Sequence, residues 1–318
     1  MPASLPTFDD HFELYFRYAA QETVLDIGPG EGKYGAMLRR VQPAARRIAV
    51  EIDPAYVERF GLRELYDDVL VMDVARLMDE VSRTFGAVII GDVIEHLRKS
   101  VGTDLLHFLV YHSNVIFVKF PDEWIQDDVD GHAGEAHVSV WSSADFAAFD
   151  HVFVTREPMH LAVIRGYRND TFEWLPPEFM GALGYPNCTA YYQERPERWA
   201  KAARRARWRQ QCEAKLAALV PSGERIILID EEKSGLLRDT AMRVPFLERD
   251  GQYFGLPADD AAARAELARQ LAAGARWVVI PQDSFWMTEF YAGLMRELFT
   301  EHRCAFEDAS LLVFELRR

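Results

Sequence analysis

The 318-residue chain has only three cysteines, Cys188, Cys212 and Cys304, and they form no CxxC pair. That scarcity excludes a disulfide framework and a thiolate zinc site, and it suits a reducing compartment. Positive charge is the rarer sign: 36 Lys and Arg stand against 50 Asp and Glu, a formal net charge of −14. Such a field repels phosphate backbones and anionic membrane surfaces, so nucleic acid is not an expected partner. No segment approaches the ~20 consecutive apolar residues that cross a bilayer. The opening MPASLPTFDDHFELYF also lacks a basic start followed by an apolar run. A cytoplasmic chain with no membrane span and no export is the expectation. Internal repeats and low-complexity tracts are missing as well. Apolar residues are plentiful, at 49%, and over this length they suffice for two cored domains.

Thr7 with Asp10 reads as a capping box for a first helix, in which Phe12, Tyr15, Phe16 and Ala19 recur at helical spacing. From Thr23 onward, short apolar runs end in acidic residues or Gly. They are Val24-Leu25, Ile48 to Val50, Val69 to Val71, Ala87 to Ile90 and Val115 to Val118. Helix-forming stretches separate them, and this alternation predicts a mostly parallel sheet covered on both faces. His151 to Thr155 and His160 to Arg165 predict a terminal antiparallel pair after a helix capped by Ser142. Residues 167–196, rich in aromatics, Pro and Gly, read as loop. A long basic helix follows, and Pro221-Ser222-Gly223 punctuates the chain. Beyond it lies a second α/β unit, with strands at Arg225 to Asp230, Trp277 to Pro281 and Leu311 to Leu316. Its helices are expected near Asp259 to Ala273 and Phe285 to Phe299. The expected organisation is therefore a domain over 1–195, a helical linker over 196–221 and a smaller domain over 222–318.

The segment Asp26-Ile27-Gly28-Pro29-Gly30-Glu31-Gly32 places an acid at a strand end and glycines at alternate positions before a helix. Glycine is needed where backbone turns sharply or a ligand must approach it closely. A dinucleotide fingerprint GxGxxG would put its third Gly at position 33, which is Lys33, so a nicotinamide-dependent oxidoreductase is disfavoured. Three further segments follow in order: Val50-Glu51-Ile52-Asp53, Met72-Asp73-Val74, and Ile90-Gly91-Asp92-Val93-Ile94-Glu95-His96-Leu97. Glu51 stands ~20 residues beyond the glycines, the distance at which a carboxylate accepts ribose hydroxyls.

Over roughly residues 20 to 167 these motifs resemble those of class I, Rossmann-like S-adenosylmethionine-dependent methyltransferases. The resemblance implies a doubly wound, mostly parallel seven-stranded sheet with a second, smaller α/β domain. It implies S-adenosylmethionine as cofactor and S-adenosylhomocysteine as product. The cofactor would be held by Asp26, Gly28, Gly30, Gly32, Glu51 or Asp53, Asp73, Val74 and Asp92. An acceptor hydroxyl would then attack the sulfonium methyl in line. On the loop beyond the fifth strand, His137 is the first candidate for removing the acceptor proton and His96 the second, since an imidazole titrates near neutrality. Asp73 and Asp92 also read as ordinary helix caps. Asp127, Asp128 and Asp130 beside His132 miss the calcium-loop spacing and read as solvated loop, so no metal is expected.

Residues 225 to 318 resemble a small accessory module of bacterial glycosyltransferases and sugar-modifying enzymes, carried by Pro245 to Asp259 and Gly274 to Pro281. That resemblance implies carbohydrate biosynthesis and a saccharide or glycoconjugate acceptor, with Tyr185, Tyr191 and Tyr192 as stacking surfaces. Another small molecule, such as a natural product, is the alternative acceptor. A silent cofactor-binding scaffold, and assembly through the C-terminal unit as a homodimer, are further readings.

Overall fold

The computed structural model describes residues 5–80, 83–122, 126–127, 135–169, 171–237, 242–249 and 251–317. Asp128, Asp130 and His132 of the acidic loop lie outside them. The chain divides into two compact units, Met1–Trp199 and Ala200–Arg318. Among the described residues no helix is long and apolar enough to cross a membrane.

The first unit runs α1 (Asp9–Tyr18), β1 (Thr23–Ile27), α2 (Lys33–Val41), β2 (Arg46–Glu51), α3 (Pro54–Arg59), α4 (Leu62–Leu65), β3 (Asp68–Val71) and α5 (Leu77–Glu80). It continues through β4 (Phe85–Gly91), α6 (Lys99–His112), β5 (Ser113–Pro121), β6 (His151–Arg156), β7 (Met159–Arg165), α7 (Pro177–Ala182) and α8 (Cys188–Gln193). The strands form one seven-stranded sheet in the order β3-β2-β1-β4-β5-β7-β6. All pairs from β3 to β5 are parallel, and β7 lies antiparallel to both β5 and β6. This is the expected doubly wound sheet.

Strand alternation feeds two cores, because successive side chains point to opposite faces. Val24, Ala87, Ile89, Val115 and Phe117 face Phe12, Tyr15 and Phe16 of α1. Leu25, Val88, Ile90, Ile116 and Val118 face Leu105, Leu106 and Leu109 of α6. The capping box at the start of α1 is not formed. Phe8 occupies the cap position in the left-handed region, with φ of 71°, and no side chain caps the helix there. Asp10 instead accepts the neighbouring His11 N–H at 3.0 Å. Ser142 does form a capping box, with Asp145, but over a single 3-10 turn, Ser143–Phe146.

The stretch read as loop contains α7 and α8, the latter capped by Asn187, whose side chain accepts Ala190 N–H at 2.8 Å. Tyr191 and Tyr192 are 2% and 0% exposed, so they are core residues, not stacking surfaces for a sugar. Buried phenols need partners. The Tyr192 hydroxyl donates to Asp150 at 2.6 Å and accepts the Trp174 indole N–H at 3.0 Å.

Helix α9 (Pro196–Leu219) runs across the division between the units. The second unit then contains β8 (Arg225–Leu228), β9 (Arg243–Pro245), β10 (Glu248–Arg249), β11 (Gln252–Tyr253), α10 (Asp260–Ala272), β12 (Ala275–Pro281), α11 (Trp286–Phe290), α12 (Ala292–Glu301), β13 (Arg303–Glu307) and β14 (Leu311–Glu315). Five strands form a sheet in the order β13-β14-β12-β8-β9, and β10 pairs with β11. Ile227, Val278, Ile280 and Phe314 build one core; Ile226, Leu228, Val279 and Val313 build another, which takes in Cys212 and Leu216 of α9. The helix expected over 285–299 is two helices. Asp260 Oδ1 of α10 accepts the N–H groups of Gly293 and Leu294 at 2.7 and 3.0 Å, giving α12 an N-terminal cap of its own.

Candidate active site

In an open α/β sheet the place for a ligand is the crevice beyond the carboxyl ends of the strands, where strand order reverses. Here the reversal falls between β1 and β4. A cavity of about 730 Å³ opens there, and Gly30, Glu51, Asp73, Asp92, His96 and His137 all reach its wall.

The turn after β1 has all three glycines at positive φ, 65° at Gly28, 51° at Gly30 and 76° at Gly32. Side chains at two of them would also collide. A Cβ on Gly28 would lie 2.3 Å from Val93 Cγ2, and one on Gly32 would lie 2.3 Å from Leu65 Cδ1. Gly28 and Gly30 line the cavity, whereas Gly32 does not. Gly32 is buried at the start of α2, where it seats that helix on α4.

Asp26 is likewise absent from the wall, contrary to the expectation that it faces the cofactor. It is 1% exposed and accepts the Tyr66 hydroxyl, which in turn accepts the Gly35 N–H at 2.9 Å. Burial raises its carboxyl to about 7, against the lowering effect of Tyr66. Its place is beneath the turn, tying β1 to Tyr66 and α2.

Glu51, at the end of β2, is 5% exposed and lines the cavity; its Oε1 accepts the Asp53 N–H at 2.9 Å. Burial raises its carboxyl above the ordinary range, while the Asp53 and Ile52 amides oppose the shift. Asp53 also lines the cavity, with one carboxylate oxygen capping α3 through Ala55 N–H at 2.7 Å. Asp73 has a similar double position. It caps a 3-10 turn through Ala75 N–H at 2.9 Å, and both it and the buried Val74 reach the cavity.

Beyond β4 the chain bends through Asp92, a non-glycine residue with φ of 55°, a conformation held by its surroundings at a cost. Its N–H donates to the Lys119 carbonyl at 2.8 Å, and its carboxylate lies 3.1 Å from Lys119 Nζ. Lys119 is fully buried and also donates to the Leu5 carbonyl. Burial holds its ammonium below the usual range.

Next come Glu95, 4% exposed, and His96. Burial, reinforced by the charge of Asp92, pushes the Glu95 carboxyl well above the ordinary range. His96 is pushed down by burial, and its Nδ1 lies 3.1 Å from the Ala136 carbonyl. The His96 and His137 rings meet edge to face with centroids 4.7 Å apart. The His137 segment is fastened down: the Val138 and Ser139 N–H groups donate to the Glu95 carbonyl at 2.9 and 3.1 Å. The structure thus unites both candidate histidines with Glu51, Asp53, Asp73, Val74 and Asp92, and leaves Asp26 and Gly32 behind the wall.

Sequence reasoning assigned no role to Glu95, Glu135, Tyr56 or Lys33, all of which line the cavity. Glu95 stood in a quoted motif, and its polarity between apolar Ile94 and Leu97 was a signal. The Tyr56 hydroxyl donates to Glu135 at 3.1 Å, a pairing between distant segments that left no local trace.

No family model matches the sequence, and no curated protein matches it. Among solved structures the chain is similar to an O-methyltransferase family protein from Burkholderia thailandensis, at 12% identity and a TM-score of 0.39, over 50% of this chain and 55% of that one. It is similar to the N-terminal domain of EvdMO1 with S-adenosylhomocysteine bound, at 18% identity and a TM-score of 0.38, covering 50% and 80% of the two chains. It is also similar to the N-methyltransferase NodS from Bradyrhizobium japonicum, at 12% identity and a TM-score of 0.37, covering 50% and 94%. The chain therefore spans about half the length of the first of these structures.

Proposed function

We propose that the first unit is an S-adenosylmethionine-dependent methyltransferase acting on a hydroxyl group of a small molecule. The observation that carries this is one cavity at the strand-order reversal where the glycine turn, the strand-end acid Glu51, Asp73-Val74 and both histidines meet. Its volume, about 730 Å³, falls in the ~300–1,000 Å³ range of small-ligand sites. The donor set fits the group. Glu51 offers a carboxylate to ribose hydroxyls, Gly28 and Gly30 keep the turn free of side chains, and Val74 with Met72 gives an apolar wall for adenine beside the polar edge of Asp73. When bound, S-adenosylmethionine supplies a methyl group activated by a sulfonium.

The imidazoles of His137 and His96 line the same cavity, which supports a role for either in removing the proton of an acceptor hydroxyl bound there. Desolvation keeps His96 neutral near pH 7, the state in which a ring nitrogen accepts. A saccharide or glycoconjugate acceptor is the finer reading. With Tyr191 and Tyr192 in the core and Tyr185 half-buried, it rests chiefly on the resemblance of the second unit. A natural product is the competing acceptor.

Calorimetry with S-adenosylhomocysteine tests the cofactor. Binding should be weakened by ~1–3 kcal/mol in Glu51→Ala, the scale of hydrogen bonds to a charged group. It should be lost in Gly30→Val, which fills the turn. Undiminished affinity in both variants would remove the proposal, and binding without turnover on any hydroxyl acceptor would favour a silent scaffold.

A further inference from the structure

Glu95, His96 and His137 offer a carboxylate oxygen and two ring nitrogens that all lie within 4.8 Å of one another. They come from two segments that β5 and the loop after it bring together. Glu95 is 4% exposed, and its Oε2 has no hydrogen-bond partner among the described residues. A buried carboxylate in that condition is costly unless a cation meets it. Lys119 is engaged elsewhere, with Asp92 at 3.1 Å and with the Leu5 carbonyl.

The chemistry of His96 points the same way. A carbonyl oxygen only accepts, so the 3.1 Å contact with Ala136 puts the ring hydrogen on Nδ1 and leaves the lone pair on Nε2. Orientation of an imidazole by a backbone carbonyl is how metal-binding histidines are held. The other segment is held too, by His137 N–H on the Gln126 carbonyl at 2.9 Å and Val138 N–H on the Glu95 carbonyl at 2.9 Å. The His96 ring and the backbone that carries His137 are thus anchored before any ligand arrives.

We propose that Glu95, His96 and His137 bind one divalent transition-metal cation, leaving its remaining coordination positions open to the cavity. Two imidazoles and a carboxylate form a donor set that takes Zn²⁺, Fe²⁺ or Co²⁺ and is too rich in nitrogen for Ca²⁺ or Mg²⁺. The open positions accept an oxygen ligand of the acceptor, whose hydroxyl proton passes to solvent as the oxygen binds. That consequence rests on the methyl-transfer reading; the cation site itself does not. In this role the histidines act on the acceptor through the ion instead of as a lone base. In the sequence only the acidic run near Asp127 reads as a candidate cation site, while His96 and His137 read as candidate bases and Glu95 carries no role.

The test uses the untagged full-length chain after chelator treatment, titrated with Zn²⁺ by calorimetry and with Co²⁺ by visible absorption. One ion should bind per chain, with cobalt bands of imidazole coordination. Glu95→Gln and His137→Ala should each lose more than the ~10–100-fold affinity that accompanies removal of an outer-shell partner. The exposed His107→Ala serves as a control and should bind as wild type. Thermal melts of the metal-free variants check folding; if Glu95→Gln is unfolded, His137→Ala on the half-exposed segment decides. No binding, or equal binding in both variants, overturns the cation site. S-adenosylhomocysteine titrated into the same metal-free protein separates the two readings. Cofactor binding in a protein that takes up neither Zn²⁺ nor Co²⁺ overturns the cation site alone, and metal binding in a protein that does not bind the cofactor upholds it while removing the methyl-transfer reading.

Discussion

Two buried titratable residues outside the wall of the cavity should tilt stability with pH in opposite directions. His151 is 1% exposed, and burial lowers its imidazole to about 4. Its Nδ1 lies 3.1 Å from the Phe149 carbonyl and its Nε2 lies 3.4 Å from the Arg198 guanidinium, an arrangement that only a neutral ring tolerates. The unfolded chain takes up this proton first, so stability is full above pH ~6.5 and falls as pH drops toward 4. The largest loss is on the order of 3 kcal/mol. His151→Gln should flatten that limb in denaturant titrations at pH 7.5 and 5. Asp26 works the other way. Its folded carboxyl, raised to about 7, keeps a proton that the unfolded chain releases near 4, so stability falls as pH rises between those values. Asp26→Asn should therefore be more stable than the parent at pH 8, by up to ~4 kcal/mol, with the gain fading toward pH 4. A variant weaker than the parent at pH 8, with the deficit fading toward pH 4, would show that the carboxylate is needed in its charged form. Neither residue's environment could be read from the sequence. Asp26 was legible as a motif acid because a strand end and a glycine turn are local, but Tyr66, which covers it, lies far along the chain.

At the scale of elements, the segment that carries His137 is held by Trp141. The indole is 3% exposed, and its N–H donates to the Ile94 carbonyl at 3.1 Å and Ser139 Oγ at 2.8 Å. Lys99 Nζ sits 3.9 Å above the ring. Gly102 on α6 is small because a Cβ there would lie 2.6 Å from the indole. Trp141→Phe keeps most of the packing and loses the donor, which should lower stability by ~1–2 kcal/mol. Trp141→Ala should lower it by ~3–5 kcal/mol. Trp141 touches no reacting atom, so it is a positioning residue: turnover should fall in the Phe variant while S-adenosylhomocysteine affinity holds. Equal losses in both would place Trp141 in the cofactor site. The central strands of the first sheet were legible because β1, β2 and β4 are nearly continuous buried runs followed by Gly or closed by an acid. β9 and β13 escaped because edge strands of 3 and 5 residues carry little pattern. The helices α7 and α8 were hidden by the Pro, Gly and Asn that in fact begin and separate them. The meeting of Glu95 with His137 depends on sheet order and loop path together, and no spacing in the sequence encodes it.

For the whole molecule, the question is where one folding unit ends and the next begins. Sequence punctuation at Pro221 suggested a break near residue 222, whereas the compact units divide at Trp199 and Ala200. The packing of α9 favours the earlier point. Cys212 and Leu216 are 0% and 1% exposed and belong to the core of Ile226, Leu228, Val279 and Val313. On the other side, Trp199 packs edge to face on Phe172 with centroids 5.0 Å apart, and Arg198 donates to the His151 carbonyl at 2.7 Å. A chain ending at Trp199 keeps those contacts and exposes no core of its own. A chain ending at Val220 carries an orphaned apolar stripe at 212 and 216, the kind of surface that promotes association. We expect the shorter chain to be monomeric by light scattering and to bind S-adenosylhomocysteine as the full chain does. The longer one should self-associate, and residues 200–318 should fold alone with a cooperative melt. Loss of cofactor binding in the shorter chain would mean that the second unit completes the first. If it methylates the true acceptor as well as the full chain does, the second unit serves assembly, and the remaining support for a saccharide acceptor falls with it.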